Sequence, residues 1–238
     1  MTIWTISDLH LSHAQPKPMD IFGPHWRNHA ERIAVNWRAR VAPEDWVLVA
    51  GDISWAMKMP AALLDLQWID ALPGRKVLIR GNHDYWCPRE RINATRRMLP
   101  PSLTLLSADA VDLGPVVVCG TRGWITPETP GFTPASDEPI YQRELVMLDR
   151  ALHHASQLAH ADRPIIVMLH YPPFVNQQPT AFAQRIAATP GVRACIYGHL
   201  HRRQDHELAV NRTIDGVAYQ LTSADFLDFG PVAVRGLG

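Results

Sequence analysis

Short apolar runs of strand length recur along the chain at 3–7, 46–50, 76–79, 116–119, 165–169 and 194–197, and each reads as a strand. Between several of them apolar residues fall at helical spacing, at Ala61, Leu64, Trp68 and Leu72 and again at Leu145, Leu148, Leu152, Ala155 and Ala159. Strand and helix in alternation predict α/β layering. Beyond residue 200 the pattern turns to short β-rich pieces with turn signals, "TIDGVAYQLTS" and "DFGPVAV", which predict added strands and no helix. Residues 121–139, rich in Pro, Thr and Gly, interrupt the rhythm and predict a long loop, functional or mobile.

The chain has 238 residues, which suits one α/β domain over residues 1–238 able to bury roughly 70–75% of its unfolded surface. Lys plus Arg and Asp plus Glu are 23 each, a net charge of zero. That balance argues against a protein that grips nucleic acid or an anionic membrane by bulk electrostatics, so any anion site is local. Three cysteines without CxxC spacing, Cys87, Cys119 and Cys195, read as reduced residues, two of them in apolar strands. The start "TIWTISDLH" has no signal-peptide pattern and no apolar run approaches a membrane span, so a soluble cytoplasmic protein is expected.

The segments just past the strands are more informative. The first strand runs into "SDLHLS", the second into "AGDISW", the third into "RGNHDYW", the fifth into "LHYPP" and the sixth into "YGHLHRR". In α/β sheets ligands bind beyond the carboxyl ends of the strands, so these five clusters can share one rim. They offer Asp8, His10, Asp52, Asn82, His170, His199 and His201 as oxygen or nitrogen ligands. Residues at i and i+2 of an extended chain face one way, which predicts that His199 and His201 aim into the same space. Seven ligands exceed one tetrahedral ion. Imidazole with carboxylate and no thiolate suits Mn, Fe or Zn better than Mg or Ca. His13, His25, His29, His153, His154, His160 and His206 lie in polar or helical stretches and are assigned to solvated surface.

The order D-x-H, GD, GNHD, H, GHxH over residues 8–201 resembles the calcineurin-like metallophosphoesterases, and "GDISWAM", "RGNHDYW" and "GTRGW" look like a small bacterial branch of them. The resemblance implies a four-layer α/β/β/α sandwich of two mixed sheets and a dinuclear centre of two divalent transition metals. By position, Asp8, His10, Asp52 and His201 would bind one ion, and Asp52 would bridge to a second completed by Asn82, His170 and His199. The ions of such a site lie about 3.5–4 Å apart. Gly198 would let the backbone approach closely. Two such ions, two carboxylates and a bridging hydroxide leave about one positive charge for an anionic phosphate, which the neutral amide of Asn82 preserves. His83 would protonate the leaving group, with Asp84 orienting its ring.

Arg122, Arg143, Arg202 and Arg203 are candidates to meet phosphate oxygens, and Trp55, Trp86 and Trp124 to stack on a base. Arg89, Arg91, Arg96 and Arg97 read as a solvated helix face. The expected activity is hydrolysis of a small phosphoester, a diester ahead of a monoester. A nuclease would need a basic groove that the balanced charge does not suggest, and a non-catalytic scaffold would be expected to have lost ligands.

Overall fold

The six predicted strands are all present, and their apolar runs are unbroken because both faces of each are covered. A computed structural model describes residues 1–160 and 163–237. In the first sheet β1 (Ile3–Ile6), β2 (Trp46–Ala50), β3 (Arg75–Ile79) and β4 (Leu103–Leu105) run parallel in that order, and β13 (Val232–Ala233) lies antiparallel on the β1 edge. In the second, β12 (Val217–Leu221), β10 (Val192–Tyr197), β7 (Ile165–Leu169) and β6 (Val117–Thr121) are parallel neighbours. There β11 (Thr213–Ile214) and β5 (Asp109–Asp112) are antiparallel edges. A separate hairpin pairs β8 (Phe174–Val175) with β9 (Gln178–Pro179).

Alternate side chains of these strands enter three different apolar clusters, which define four layers. Val47 and Val49 of β2 pack on Ile33 and Trp37 of α1 (His29–Arg40) and on Leu66 and Ile69 of α2 (Met59–Asp70). The intervening Leu48 and Ala50 face the other way, against Ile166 and Met168 of β7 and Ala194 and Ile196 of β10. Beyond the second sheet, Val167, Leu169, Cys195 and Tyr197 meet Leu145, Leu148, Leu152 and Ala155 of α4 (Pro134–Ala159) and Phe182 of α5 (Ala181–Ala188). The α/β/β/α sandwich is therefore present. Its sheets are tied at their carboxyl ends, where Ser7 N–H donates to Thr222 O at 2.7 Å.

Four sequence expectations are corrected. The loop of residues 121–139 is shorter, because α4 starts at Pro134 and carries Pro139 inside it. Pro at the first helical position is favourable, and the one backbone bond that Pro139 forgoes is outweighed by burial of Tyr141, Leu145 and Leu148. The tail does contain a helix, α6 (Arg203–Leu208), before its strands. The buried face of α2 is Ala62, Asp65, Leu66 and Ile69, while Leu64 lies half exposed, so the apolar stripe is rotated from the expected one. The arginine cluster spans a 3-10 turn and the short α3 (Ile92–Met98), and Arg96, partly buried, pairs with Asp109 at 2.6 Å. Among the described residues no helix is long and apolar enough to cross a membrane.

Candidate metal centre

Five strand ends deliver the predicted donors to one place. From β1, Asp8 and His10 enter at left-handed φ of 57° and 47°; from β2, Asp52 at 52°; from β10, His199 at 74°. Such backbone costs of order 1–3 kcal/mol per non-glycine residue and persists where its surroundings over-determine it. Here the loops are laced together: Asp8 N–H donates to Gly51 O at 2.9 Å, His10 N–H to Asp52 O at 3.0 Å, and Gly198 N–H to His170 O at 3.1 Å. A Cβ on Gly198 would collide with Asp8 and Ser7, and one on Gly81 with Asp52. Both positions are glycine because the backbone itself forms the wall behind a carboxylate.

The donor atoms form two joined sets. In one, His10 Nε2 is 3.4 Å from His201 Nε2 and 3.8 Å from Asp52 Oδ2, and His201 Nε2 is 3.5 Å from Asp8 Oδ1. In the other, His170 Nε2 lies 2.7 Å from Asn82 Oδ1, 3.3 Å from His199 Nδ1 and 3.5 Å from Asp52 Oδ2, and His199 Nδ1 is 3.0 Å from Asn82 Oδ1. Asp52 Oδ2 touches both. Asp8 belongs to both groups of donors close enough to hold an ion, Asp8 with His10 and His201 and Asp8 with Asp52 and His170. The His170 Nδ1 that its Oδ1 approaches at 3.9 Å is committed to Ala50 O at 3.0 Å, however, which leaves Asp52 Oδ2 facing the uncommitted Nε2 atoms of His10 and His170. The chain is not extended at His199, contrary to the expectation from the i, i+2 spacing. Its left-handed turn sends the two rings of "GHLH" to different sets.

Charge and tautomer make most of these donors fit divalent cations. For His201 burial acts downward, but Asp225 and Asp8 push it up to about 10, so it must give up a proton to join them. Burial pushes His170 down to about 4 and, helped by the neighbouring His170, pushes His199 down to about 3. Burial and the charge of His201 also hold His10 well below its ordinary range, so three rings stay neutral, the form that ligates. With His170 Nδ1–H donating to Ala50, its Nε2 lone pair faces the oxygens of Asn82 and Asp52 with no proton between them. Burial, then the charges of Asp8 and Asp84, push Asp52 well above the usual carboxylate range. For Asp8 burial also acts upward, but the hydrogen bond and charge of His201 override it and hold the carboxyl low. Acceptors crowded in this way are satisfied by cations, and donor separations of 2.7–3.8 Å suit ligands about 2.0–2.2 Å from an ion.

His83 sits beside the cluster, not in it. Its backbone N–H donates to Asp52 Oδ1 at 2.8 Å, its Nε2 stands 3.9 Å from Asp52 Oδ2, and its ring packs on Trp55 at 4.3 Å. Trp55 also stacks on His10 at 4.8 Å, so it is a packing wall. The expectation that Asp84 orients His83 does not hold. Its carboxylate accepts from Gly81 N–H at 2.7 Å, Ile53 N–H at 2.9 Å, Ser54 N–H at 3.1 Å and Trp86 Nε1–H at 2.9 Å, clamping the "GD" and "GNHD" loops together. Trp86 is core and offers no stacking face.

The selectivity candidates divide. Arg122 and Arg143 each lie 3.8 Å from the buried Glu144, and Arg122 also stacks on Trp124 at 4.4 Å. Trp124 donates to Asp137 at 3.1 Å and packs on Tyr171. Arg202, just before α6, and Arg203, its first residue, are highly exposed and pair with Asp205 and Glu207 of that helix. Three histidines assigned to the surface are not free there. His13 Nδ1 meets Asp65 Oδ1 at 2.7 Å, His29 donates to His10 O at 3.3 Å, and His206 donates to Leu200 O at 2.9 Å. Sequence reasoning misses Asp225 altogether. It accepts from His201 Nδ1–H at 3.0 Å and so turns Nε2 into the cluster. Only its place close after "LTS" at the end of a strand, the position shared by the other clusters, could have signalled it.

The family model for calcineurin-like phosphoesterase matches residues 1–203. The Gene 66 protein of Mycobacterium phage D29 is 42% identical over 83 residues, covering 34% of this chain and 40% of that protein. The Gene 66 protein of Mycobacterium phage L5 is 30% identical over 113 residues, covering 41% of this chain and 54% of that protein. The matches thus span about half the length of these curated relatives or less. Among solved structures, a phosphopantetheinyl hydrolase from Mycobacterium tuberculosis has a TM-score of 0.56 at 18% identity, over 93% of this chain and 88% of that one, a likeness of fold. Strand order, the rim of converging donors and the match over residues 1–203 agree: the chain belongs to the calcineurin-like phosphoesterase family.

Proposed function

We propose that this protein hydrolyses phosphoesters with a pair of divalent transition-metal ions, Mn, Fe or Zn, and that it acts on a small phosphodiester in the cytoplasm. The observation that carries the proposal is the convergence of Asp8, His10, Asp52, Asn82, His170, His199 and His201 from five strand ends into two sets sharing Asp52. Asp8, His10, Asp52 and His201 would hold one ion, and Asp52, Asn82, His170 and His199 the other. Bound there, the ions supply positive charge for phosphoryl oxygens and lower the pKa of water. His83, on the rim, is placed to hand a proton to the departing alcohol. Burial and the charge of Lys17 hold its pKa below the ordinary value, so it needs the negative charge of a bound phosphoester to take that proton up. Free, buried Cys87, Cys119 and Cys195 suit a reducing compartment.

Rates on bis- and mono-p-nitrophenyl phosphate, with Mn²⁺ and after chelation, test the proposal. Faster diester turnover that chelator abolishes is expected. Greater monoester activity would replace the diester preference with the phosphomonoesterase alternative, and failure on both substrates with every metal would reject the enzyme.

Two variants probe the scaffold of the site. Asp225→Ala leaves His201 free to rotate, and metal affinity is expected to fall about 10–100-fold, the usual consequence of losing a hydrogen-bond partner behind a ligand. Asp225→Asn, which keeps an acceptor oxygen, should restore most of it in a metal titration. Gly198→Ala, whose methyl meets Asp8 and Ser7, is expected to lower both metal content and Tm. An unchanged Tm would show that the wall behind Asp8 yields.

A further inference from the structure

Beside the donor cluster lies a cavity of about 570 Å³, a size that suits a small-molecule ligand. His199 and His201 form part of its wall, so it is continuous with the centre. On one side Trp124 and Tyr171 continue an aromatic ladder into His199, with ring centroids 5.1 Å and 4.2 Å apart along it. On another, Leu208 and Val210 supply aliphatic surface. Its non-histidine charges are Arg202 and Asp205, which neutralise each other through hydrogen bonds of 2.8 Å and 3.1 Å. Arg122 and Arg143, the better-placed arginines, face Glu144 and do not line it.

Resting on the phosphoesterase proposal, we infer that this cavity receives the organic group of the ester and selects an uncharged, apolar one, an alkyl or aryl chain. A second phosphate would find no uncompensated cation there. A nucleobase would find aromatic walls, but Thr129, Asn176 and the Tyr171 hydroxyl as the chief uncommitted, uncharged hydrogen-bonding groups on side chains, leaving much of its polar edge unsatisfied. An apolar chain brings no polar group of its own to satisfy, and each methylene entering the cavity strengthens binding.

The test is calorimetric binding of n-alkylphosphonates, methyl to hexyl, to the Mn²⁺-loaded protein, with turnover of p-nitrophenyl esters measured on the same sample. Kd is expected to fall about fourfold per methylene, the factor given by ~0.8 kcal/mol per buried CH₂. Leu208→Glu, at an exposed part of the wall, should weaken hexylphosphonate far more than methylphosphonate and so flatten the series. Equal Kd values along the series, on protein that turns over p-nitrophenyl esters and binds methylphosphonate, would overturn the inference while leaving the phosphoesterase standing. Adenosine monophosphate binding more tightly than hexylphosphonate would overturn it as well. Absence of both turnover and phosphonate binding would instead reject the phosphoesterase on which it rests.

Discussion

Asp52→Asn is expected to lower bound metal from two ions per chain to one or none, and to reduce turnover by more than the roughly 10–100-fold that losing an outer hydrogen-bond partner costs. Asp52 Oδ2 is the oxygen within 4 Å of His10 on one side and His170 on the other. Asparagine keeps the shape, and its carbonyl still accepts the His83 N–H, so the loop is preserved while the shared negative charge is lost. Thermal melting gives a second signature. Saturating a site at 100 times its Kd stabilises by about 2.7 kcal/mol, or roughly 5–11 °C for a chain of this length, and the variant should lose most of that gain.

Without metal the sign reverses. The Asp52 carboxyl is pushed up on folding, by burial first and then by the charges of Asp8 and Asp84. A group raised in this way costs nothing below its unfolded pKa and destabilises increasingly as the pH climbs above it. Metal-free Asp52→Asn is therefore expected to melt at or above the metal-free wild type at pH 7, the gap closing toward pH 4. A variant that melts lower without metal yet still binds two ions would show that Asp52 is a structural residue and not the bridge.

The donors were legible in the sequence because chain order and space agree there: each follows a parallel strand, and parallel strands of one sheet end on one rim. The apolar runs gave those strands, since both faces of β2, β7 and β10 are covered. The supporting residues were not legible, for tertiary reasons. Asp225 reaches His201 only because β12 lies beside β10 while β13 crosses to the other sheet, and no local pattern announces that return. Asp84 reads like an orienting carboxylate from its place after His83, yet four N–H groups converge on it from two loops and take its oxygens first. "PASDEP" reads as loop by composition and folds as helix because the apolar face downstream of it is buried.

His83→Ala is expected to leave metal content and Tm close to wild type and to cut turnover of an alkyl phosphoester by about 10²–10⁴-fold, the range for removing a general acid. The link from this residue to Asp52 runs through its backbone N–H, which alanine retains, while the imidazole itself stands 3.9 Å from the carboxylate on an open edge. Deleting the ring therefore removes a proton donor without removing a wall. An alkyl alcohol leaves poorly unless it is protonated, whereas p-nitrophenolate departs as a stable anion, so the variant should lose far less on a p-nitrophenyl ester. The ratio of the two losses is the diagnostic quantity. Equal losses on both esters would assign His83 to binding or packing against Trp55, and loss of metal would make it a ligand after all.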